Sequence, residues 1–311
     1  MQFEDHKIFR YRYDFESKYL SDFIRERYVQ QAAEADISRM IEERVRINGK
    51  KVHSQTLLHP GDWLEYEHRR SDETSIKAEV DVLYEDDWIL ALSKPDYLPV
   101  TPSTHYYFNS MAIMAKERFG NPGLSPVHRL DIETSGVLLF GKDKRIRSAV
   151  QRMFQDHQVE KRYQAILFNK PSVDSVSGDL ALDRSSRIYT KQVLTPAHQQ
   201  ASTLTIIEKL ESWGKYTRAW LRPVTGKTNQ IRAHMAAIGC PIVGDKKYYP
   251  DETVFLDWFR FRDTGRLISQ IKLSRQALHC ESLSLISPFS QQAVTITDRS
   301  QAWMNKIRSL L

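Results

Sequence analysis

The segment "SPVHRLDIETSGVLLFGKD", residues 125–143, joins an acidic turn to an apolar strand and predicts the centre of the fold. Residues 136–140 form an apolar run of strand length that follows a Thr-Ser-Gly turn. Asp131 comes two residues after Arg129, so both side chains point the same way if the chain is extended. Taken alone, an Asp before such a turn is usually a structural residue that bonds nearby backbone groups.

Strands and a few helices alternate on both sides of this segment. Residues 80–95 ("VDVLYEDDWILALSKP") predict two short strands across an acidic turn. Further strands are predicted over 162–168 and 217–223, and helices over 144–157 and 228–238. Because the strands follow each other without regular crossover helices, we predict an α+β fold with a mixed, largely antiparallel sheet and flanking helices.

Residues 37–67 predict a separate, small α/β unit. Apolar residues at helical spacing indicate a helix that begins near Ile37, with Ser38 as its cap. The Asn48-Gly49 pair is a strong hairpin turn, and residues 63–67 are typical of a closing strand.

The stretch "HRRSDETSIK", residues 68–77, is polar and has no periodic pattern, so we place a domain boundary there. The predicted organisation is a first domain over residues 1–70, a linker over 71–79 and a second domain over 80–311.

Composition narrows the class of protein. The chain is 41% hydrophobic and 27% charged, as in ordinary globular proteins. It has no apolar run near the roughly 18 residues that cross a membrane and no signal-peptide pattern, so we expect a cytoplasmic protein without a membrane partner. Cys240 and Cys280 are distant in sequence and lack zinc-ligand spacing, so we expect reduced, buried thiols and no metal site. We also expect a monomer.

The net charge of +6 and the isoelectric point near 9.1 fit a polyanionic partner. Residues 1–77 carry 14 basic and 15 acidic residues, so the basic surplus belongs to the rest of the chain.

Two further segments carry polar residues that, one by one, have ordinary structural explanations. In "VEKRYQAILF", residues 159–168, Lys161 and Tyr163 share one face of a predicted strand. In "VTGKTNQIRAHMAAIG", residues 224–239, the predicted helix carries Arg232 and His234. A strand Tyr is usually part of a core, a helix Arg is usually solvated, and a lone His is more often packed than catalytic.

Together and in this order, the three segments resemble the RluA-type pseudouridine synthases, which isomerise uridine in RNA. "HRLDIETSG" is similar to the family's signature around its catalytic aspartate, and "KRYQA" to its tyrosine segment. "TGKTNQIRAHM" resembles its Thr-Gly-Arg-x-His-Gln-Ile-Arg-x-His segment. "LSKP", "GDKKYY" and "LHCESLSLISP" resemble lesser landmarks, so the resemblance covers about residues 80–288.

The resemblance implies a pseudouridine synthase fold and assigns three catalytic residues. Asp131 would be the catalytic carboxylate and Arg232 its ion-pair partner. Tyr163 would be the aromatic side chain against the target uracil and a candidate to assist proton removal. The remaining substrate-binding residues would be Arg129, His128, Lys227, Gln230 and Lys94. The implied isomerisation requires no cofactor and no metal.

This sequence departs from the family pattern at several positions. Lys227 stands where the family usually has Arg, and Asn229 where it has His. Ser93 replaces a common Asn, and Tyr249 replaces a Gly. None of these departures falls on the implied catalytic residues, so they bear on the grip on RNA more than on the chemistry.

RNA contacts are expected from two regions. The first domain resembles the S-four-like RNA-binding module, and its predicted RNA-binding residues are Arg39, Arg44, Arg46, Lys50 and Lys51. The basic helix over residues 144–157 would contact phosphates through Lys144 and Arg145. In both regions the alternative is a solvated charged face.

The expected function is therefore that of an isomerase, an RNA pseudouridine synthase acting on ribosomal or transfer RNA. The alternative is a non-catalytic RNA-binding or ribosome-assembly factor on the same fold. A glycoside hydrolase is a weaker third possibility, because the only second carboxylate near Asp131 is Glu133, which we expect to be a surface charge of the turn.

Overall fold

The structure of the protein is a computed structural model that describes residues 5–28, 34–73, 76, 79–103, 106–197, 199–261, 264–299 and 301–310. The chain divides into two compact units. The first comprises Met1–Lys77 and Thr101–Gly120, and the second comprises Ala78–Val100 and Asn121–Leu311. Among the helices built from the described residues, none has the length and apolar character needed to cross a membrane.

The first unit is a small sheet packed against helices. Its elements are β1 (His6–Arg12), β2 (Lys18–Tyr19), α1 (Leu20–Tyr28), α2 (Glu34–Arg44), β3 (Val45–Ile47), β4 (Lys50–Lys51), β5 (Leu57–Leu58), β6 (Trp63–Arg69), a 3₁₀ turn (Arg70–Asp72) and α3 (Met111–Phe119). The four-stranded sheet has the order β1-β6-β3-β4, and β2 pairs with β5. Ile37 and Ile41 of α2 are buried with Leu64 of β6, which gives this unit a core of its own.

The predicted helix and hairpin of this unit are confirmed, with one correction. Asn48 and Gly49 both adopt positive φ, 51° and 77°, as the two central residues of a tight hairpin turn require. Helix α2 begins at Glu34, three residues before the predicted start, so Ser38 lies inside the helix and does not cap it. The spacing of the apolar residues located the helix but not its start, because residues 34–36 (Glu-Ala-Asp) add no large apolar residue to that pattern.

The domain boundary differs from the prediction because of Glu73. This buried carboxylate, placed in the predicted linker, accepts hydrogen bonds from the backbone N–H groups of Tyr107 (2.6 Å), Phe108 (2.9 Å) and Asn109 (2.7 Å). It also bonds the buried ring of His68 at 2.8 Å. Residues 101–120 therefore belong to the first unit, and the second unit is not the continuous stretch 80–311. Linker residues 74–75 and 77–78 lie outside the described residues.

The second unit is built on one large sheet. Its strands are β7 (Val82–Glu85), β8 (Ile89–Lys94), β9 (Ser125–Pro126), β10 (Ser135–Gly141), β11 (Glu160–Leu167), β12 (Ser175–Leu182), β13 (Gln192–Thr195), β14 (Thr203–Trp213), β15 (Tyr216–Pro223), β16 (Leu278–Ile286) and β17 (Ala293–Thr297). The main order is β13-β12-β14-β15-β11-β16-β10-β8-β7, with β17 on β16 and β9 on β10. In the described part of the chain β10 and β16 run parallel and the other pairs are antiparallel, which confirms the predicted mixed sheet.

The helices of this unit are α4 (Lys144–Gln155), α5 (Gln230–Ala237), α6 (Glu252–Phe261), α7 (Thr264–Ile271) and α8 (Gln301–Leu310). The two predicted helices, α4 and α5, are confirmed with shorter ends. Asp143 caps α4, where its carboxylate accepts the N–H of Ile146 at 2.8 Å. Residues of α5 and α8 share a buried cluster with the centre of the sheet, which fixes α5 against β14 and β15.

Strand β16 lies between β10 and β11 and sets the distance between the loop before β10 and the side chains of β11. Its pairing with β11 contains one extra residue, Glu281, between the partners of Arg162 and Tyr163. On its other side, Gly136 of β10 adopts φ 111° against the backbone of Cys280. A Cβ at Gly136 would lie 2.1 Å from the Cys280 carbonyl oxygen, so only glycine allows this approach.

We expect Gly136→Ala to lower the free energy of unfolding of the second unit by about 2–4 kcal/mol, since it combines backbone strain with a clash against backbone atoms. Gly214→Ala is the matched control, because Gly214 also has positive φ (57°) but nothing lies within 4 Å of its added Cβ. Urea unfolding followed by tryptophan fluorescence measures both. Equal losses in the two variants would contradict the close approach.

Candidate active site

Asp131 lies in a tight loop that leads into β10, and a buried lysine fixes the backbone of this loop. The Lys94 ammonium group donates hydrogen bonds to the carbonyls of Ile132 (3.0 Å) and Thr134 (2.8 Å). The N–H of Thr134 donates to the Asp131 carbonyl at 3.0 Å, which closes the turn. The loop geometry is thus set by backbone bonds and leaves the Asp131 carboxylate available for other partners.

The structure contradicts the prediction that Lys94 binds substrate. Lys94 is fully buried, and it is not among the residues that line the cavity next to Asp131. A third bond, to the Pro95 carbonyl at 2.8 Å, completes its donors. Burial and the nearby charge of Arg275 lower the pKa of Lys94 to about 7. Lys94 therefore supports the loop of Asp131 and is not among the residues that line the cavity.

Glu133, expected from the sequence to be a surface charge of the turn, is instead half-buried. Its carboxylate pairs with the Lys246 ammonium group and accepts a hydrogen bond from the N–H of Gln276 at 3.0 Å. Its carbonyl accepts a bond from the Arg275 guanidinium at 2.8 Å. Glu133 therefore attaches the loop of Asp131 to Arg275 and Gln276.

Arg232 of α5 lies between two carboxylates. One guanidinium nitrogen donates to Asp131 Oδ2 at 2.7 Å. Two others donate to Asp245, at 2.6 Å to Oδ2 and at 2.8 Å to Oδ1, in a bidentate pair. The predicted ion pair between Asp131 and Arg232 is thus present, and Asp245 is the additional partner that sequence reasoning missed.

Asp245 is the more deeply placed of the two carboxylates. Its side chain is fully buried, whereas that of Asp131 is 27% exposed. Its Oδ1 also accepts the backbone N–H groups of Lys247 and Tyr248, both at 3.1 Å. The quoted segment "GDKKYY" contained this residue, but an Asp that follows Gly in a turn gives no sign of a distant Arg partner.

The charge balance keeps Asp131 ionised. Burial alone would raise the pKa of Asp131, but the charge and hydrogen bond of Arg232 outweigh burial, so the pKa lies below its ordinary value. Gln276, a second residue that sequence reasoning missed, is 3.5 Å from Asp131 Oδ2 and donates a closer bond to the Thr134 hydroxyl at 2.6 Å. The carboxylate thus combines a negative charge with partial access to solvent.

Asp131 opens into a cavity of about 690 Å³ between β11, α4 and α5. This volume is within the roughly 300–1,000 Å³ of small-molecule pockets. Seven of the eight predicted catalytic and substrate-binding residues line it: His128, Arg129, Asp131, Tyr163, Lys227, Gln230 and Arg232. The spaced motifs therefore converge on one cavity, with Lys94 as the exception.

Tyr163 presents its ring to this cavity as a neutral phenol. Burial raises the pKa of Tyr163 well above its usual value, with smaller contributions from the nearby Cys280 thiol and from Asp131. Burial likewise raises the pKa of Cys280 to about 12. Cys280 and Cys240 are both buried and unpaired, as predicted.

Two of the predicted substrate-binding residues use their polar atoms for the protein itself. His128 Nε2 accepts the N–H of Leu139 at 3.1 Å, and burial lowers the His128 pKa to about 3, so the ring is neutral. Gln230 accepts from the Thr225 hydroxyl at 2.7 Å and donates to the Leu204 carbonyl at 3.0 Å. Both residues shape the cavity wall, where His128 Nε2 and both polar atoms of the Gln230 amide are already bonded within the protein.

Arg129 and Lys227 are the exposed cations of the cavity rim. Asn229, the departure from the family's His, adopts positive φ of 57°, which Asn tolerates better than most residues. Its side-chain oxygen accepts a bond from Arg232 at 3.1 Å. This departure is therefore accommodated as another partner of Arg232.

The predicted RNA-binding residues differ in their exposure. Lys144 and Arg145 on α4 are exposed, as are Arg39, Lys50 and Lys51 in the first unit. Arg44 is not free to bind RNA, because its guanidinium is paired with Asp72 at 2.6 Å and its side chain is only 19% exposed. Arg46 is half-buried and donates to the Val45 carbonyl at 2.8 Å. Within the described residues, no cluster of His, Cys, Asp or Glu is arranged to hold a metal ion.

Comparison with known proteins gives the same family as the motifs. Residues 88–237 match the family model of RNA pseudouridylate synthases. A dual-specificity RNA pseudouridine synthase RluA from Pasteurella multocida is 30% identical, over 68% of this chain and 90% of that protein. The RluA protein of Haemophilus influenzae is 28% identical, over 71% of this chain and 93% of that protein.

Solved structures support the fold. Human RNA pseudouridylate synthase domain containing 1 aligns with a TM-score of 0.56 at 20% identity, over 74% of this chain and 86% of that one. Human RNA pseudouridylate synthase domain containing 4 aligns with a TM-score of 0.53 at 24% identity, over 74% and 92% of the two chains.

We expect the two carboxylates on Arg232 to differ in their effect on stability. Asp245→Asn breaks a fully buried ion pair and should lower the free energy of unfolding by about 3 kcal/mol. Asp131→Asn removes a partly exposed partner while Arg232 keeps Asp245, so it should change stability by less than about 1 kcal/mol. Urea unfolding measures both, and a larger loss in Asp131→Asn would reverse the assigned roles.

Proposed function

The chain belongs to the RluA-type RNA pseudouridine synthases, and we propose that Asp131, in the cavity it shares with Tyr163 and Arg232, isomerises uridine in ribosomal or transfer RNA. The observation that carries this proposal is the contact of Asp131 with Arg232, 101 residues away in sequence, at 2.7 Å on the wall of that cavity. Neither residue type is unusual by itself. Their pairing beside a rim of exposed cations supports chemistry on a polyanion.

The reaction is an isomerisation with balanced atoms. The bond between ribose C1′ and uracil N1 breaks, the base turns, and a bond forms between C1′ and C5. The proton on C5 is lost and N1 gains a proton, so no oxidant or reductant takes part.

Asp131 has two chemically reasonable roles in this sequence. Its carboxylate adds to C1′ and is later displaced, or it removes a sugar proton to give a glycal. Both roles require the ionised carboxylate, which Arg232 favours by lowering the Asp131 pKa. The bidentate pair with Asp245 holds Arg232 in place, so that Asp131 meets a fixed positive charge.

Tyr163 supplies a face for the uracil ring. Stacking on an aromatic side chain is worth roughly 1–3 kcal/mol per base, which would retain the detached ring while it turns. The raised pKa keeps the phenol neutral at physiological pH, and this supports stacking over a role as an ionised base. Arg129 and Lys227 on the rim are suited to the phosphates on either side of an extruded nucleotide.

The first unit is proposed as a second RNA-contact surface. Its helices and hairpin agree with the resemblance to the S-four-like module, and Arg39, Lys50 and Lys51 remain exposed. Several relatives are named dual-specificity enzymes, so both ribosomal and transfer RNA are reasonable substrates to test.

We expect Asp131→Asn to bind RNA as tightly as the unsubstituted protein and to form no product, because it keeps the shape of the loop and loses the carboxylate. Release of tritium from RNA labelled at uracil C5 measures the reaction, with ribosomal and transfer RNA from cells lacking this protein tested separately. Filter binding at fixed salt measures affinity. Asp87→Asn makes the same chemical change at an exposed position of the second unit that is not among the residues lining the cavity, and it serves as the control, with unchanged binding and turnover expected.

Turnover by Asp131→Asn at the unsubstituted rate would remove Asp131 from the mechanism. If the unsubstituted protein binds both RNA pools but releases no tritium from either, the non-catalytic RNA-binding alternative takes precedence.

We expect Lys50→Glu combined with Lys51→Glu to weaken RNA binding and to reduce its dependence on salt. A protein with fewer phosphate contacts releases fewer counterions when it binds, and this release is the source of the salt dependence. The tritium-release rate at saturating RNA should not change. Lys170→Glu combined with Lys215→Glu, at two exposed positions between strands of the second unit, is the matched control. Equal weakening in both double variants would indicate a general charge effect and argue against a contact surface on the first unit.

A further inference from the structure

The loop between β12 and β13, residues 183–191, displays an aromatic side chain that the protein itself does not use. Tyr189 is 89% exposed, the highest value among the large apolar side chains of the described residues. Its neighbour Ile188 is only 3% exposed, so the loop turns one side chain inwards and the next outwards. The whole ring is therefore available for contact with a partner outside the protein.

Glu252, in the first turn of α6, bonds three residues of the loop and restrains its shape. This carboxylate accepts bonds from the Ser186 hydroxyl (2.5 Å), the Arg187 backbone N–H (3.2 Å) and the Lys191 ammonium group (2.8 Å). The N–H of Asp183 donates to the Lys191 carbonyl at 2.9 Å and closes the base of the loop. The exposed ring is therefore presented by a fixed loop, which reduces the entropy lost when a partner binds.

The same loop is attached to the segment that holds Arg232. The Lys247 ammonium group donates to the Thr190 carbonyl and, at 2.9 Å, to its hydroxyl, and the N–H of Gln192 donates to the Tyr248 hydroxyl at 3.1 Å. The Tyr248 ring in turn lies 5.1 Å from the Arg232 guanidinium carbon. The loop thus lies close to the wall of the Asp131 cavity.

The charges around Tyr189 favour a polyanion. Arg184 and Arg187 are both exposed, and within the described residues neither guanidinium is paired with a carboxylate. The acidic residue of the loop, Asp183, is engaged by the N–H and hydroxyl of Ser185. A fixed aromatic ring flanked by unpaired cations is the combination that binds single-stranded nucleic acid.

We propose that this loop is an RNA-contact site, in which a base next to the target uridine stacks on Tyr189 while Arg184 and Arg187 contact its phosphates. The inference rests on the proposed function. When the target uridine leaves its stack, the neighbouring base loses a stacking partner. The Tyr189 ring replaces that partner and offsets part of the cost of extrusion.

The first test compares Tyr189→Ala with Tyr189→Phe in the full-length protein. Initial rates of tritium release are measured against the concentration of RNA labelled at uracil C5. We expect Tyr189→Ala to raise KM between about fivefold and a hundredfold, as the loss of one stacked base predicts, with kcat within about twofold. Tyr189→Phe keeps the ring and should retain the original KM. Phe261→Ala, at an aromatic residue 65% exposed elsewhere in the same unit, should have no effect.

The second test locates the contact directly. Asp131→Asn protein is mixed with total RNA from cells grown with 4-thiouridine, irradiated and digested with trypsin. We expect the tryptic peptide of residues 188–191, "IYTK", to carry a nucleotide mass, and the peptide to lose it in Tyr189→Ala protein.

The outcomes separate this inference from the proposed function. If the unsubstituted protein releases tritium, but Tyr189→Ala keeps its KM and the peptide carries no nucleotide, the loop is not an RNA site and the function stands. A fall in kcat with unchanged KM would show that the loop supports Arg232 and does not bind RNA, and would also overturn the inference. Absence of tritium release from the unsubstituted protein contradicts the function itself, and the peptide mass then reports on the loop alone.

Discussion

The bidentate pair between Asp245 and Arg232 is the interaction on which the rest of the site depends. A guanidinium buried without a partner would be prohibitively unfavourable, and a partner that was itself reactive could not serve both tasks. Asp245 neutralises most of the charge from a fully buried position, so Arg232 is stable whether or not Asp131 is occupied by substrate. In the proposed reaction, Asp131 can then change its bonding while its cationic neighbour stays in place.

The same division between supporting and reacting groups recurs around the loop of Asp131. Lys94, Arg275 and Glu133 bond its backbone or its neighbours, and all three keep their charges away from the cavity. Many of their bonds go to backbone carbonyls and N–H groups, and Glu133 in addition pairs with Lys246. The charged residues that line the cavity are Asp131 and a set of cations: Arg129, Lys161, Lys227 and Arg232.

The sequence predicts the secondary-structure elements and the residues that face the cavity, because both correspond to patterns of neighbouring residues. Apolar periodicity placed β10, β11, α4 and α5, and the spaced motifs placed Asp131, Tyr163 and Arg232. The residues that support the site from behind have partners distant in sequence, so no local pattern predicts their contacts. Lys94 lies inside a family motif, which predicts that it binds substrate, but a motif does not tell which way a side chain points, and Lys94 is not among the residues that line the cavity. Glu73 binds three backbone N–H groups more than thirty residues away, and such a bond does not depend on the identity of its partners.

The three bonds of Glu73 to residues 107–109 also constrain the order in which the chain is able to fold during synthesis. Glu73 leaves the ribosome well before residues 107–109, and the strands β7 and β8 are made in the interval. The first unit is therefore incomplete when the first hairpin of the second unit emerges, and that hairpin in turn waits for β10, its partner in the sheet. The two units assemble in alternation as the chain lengthens, although translation usually lets an N-terminal domain finish first.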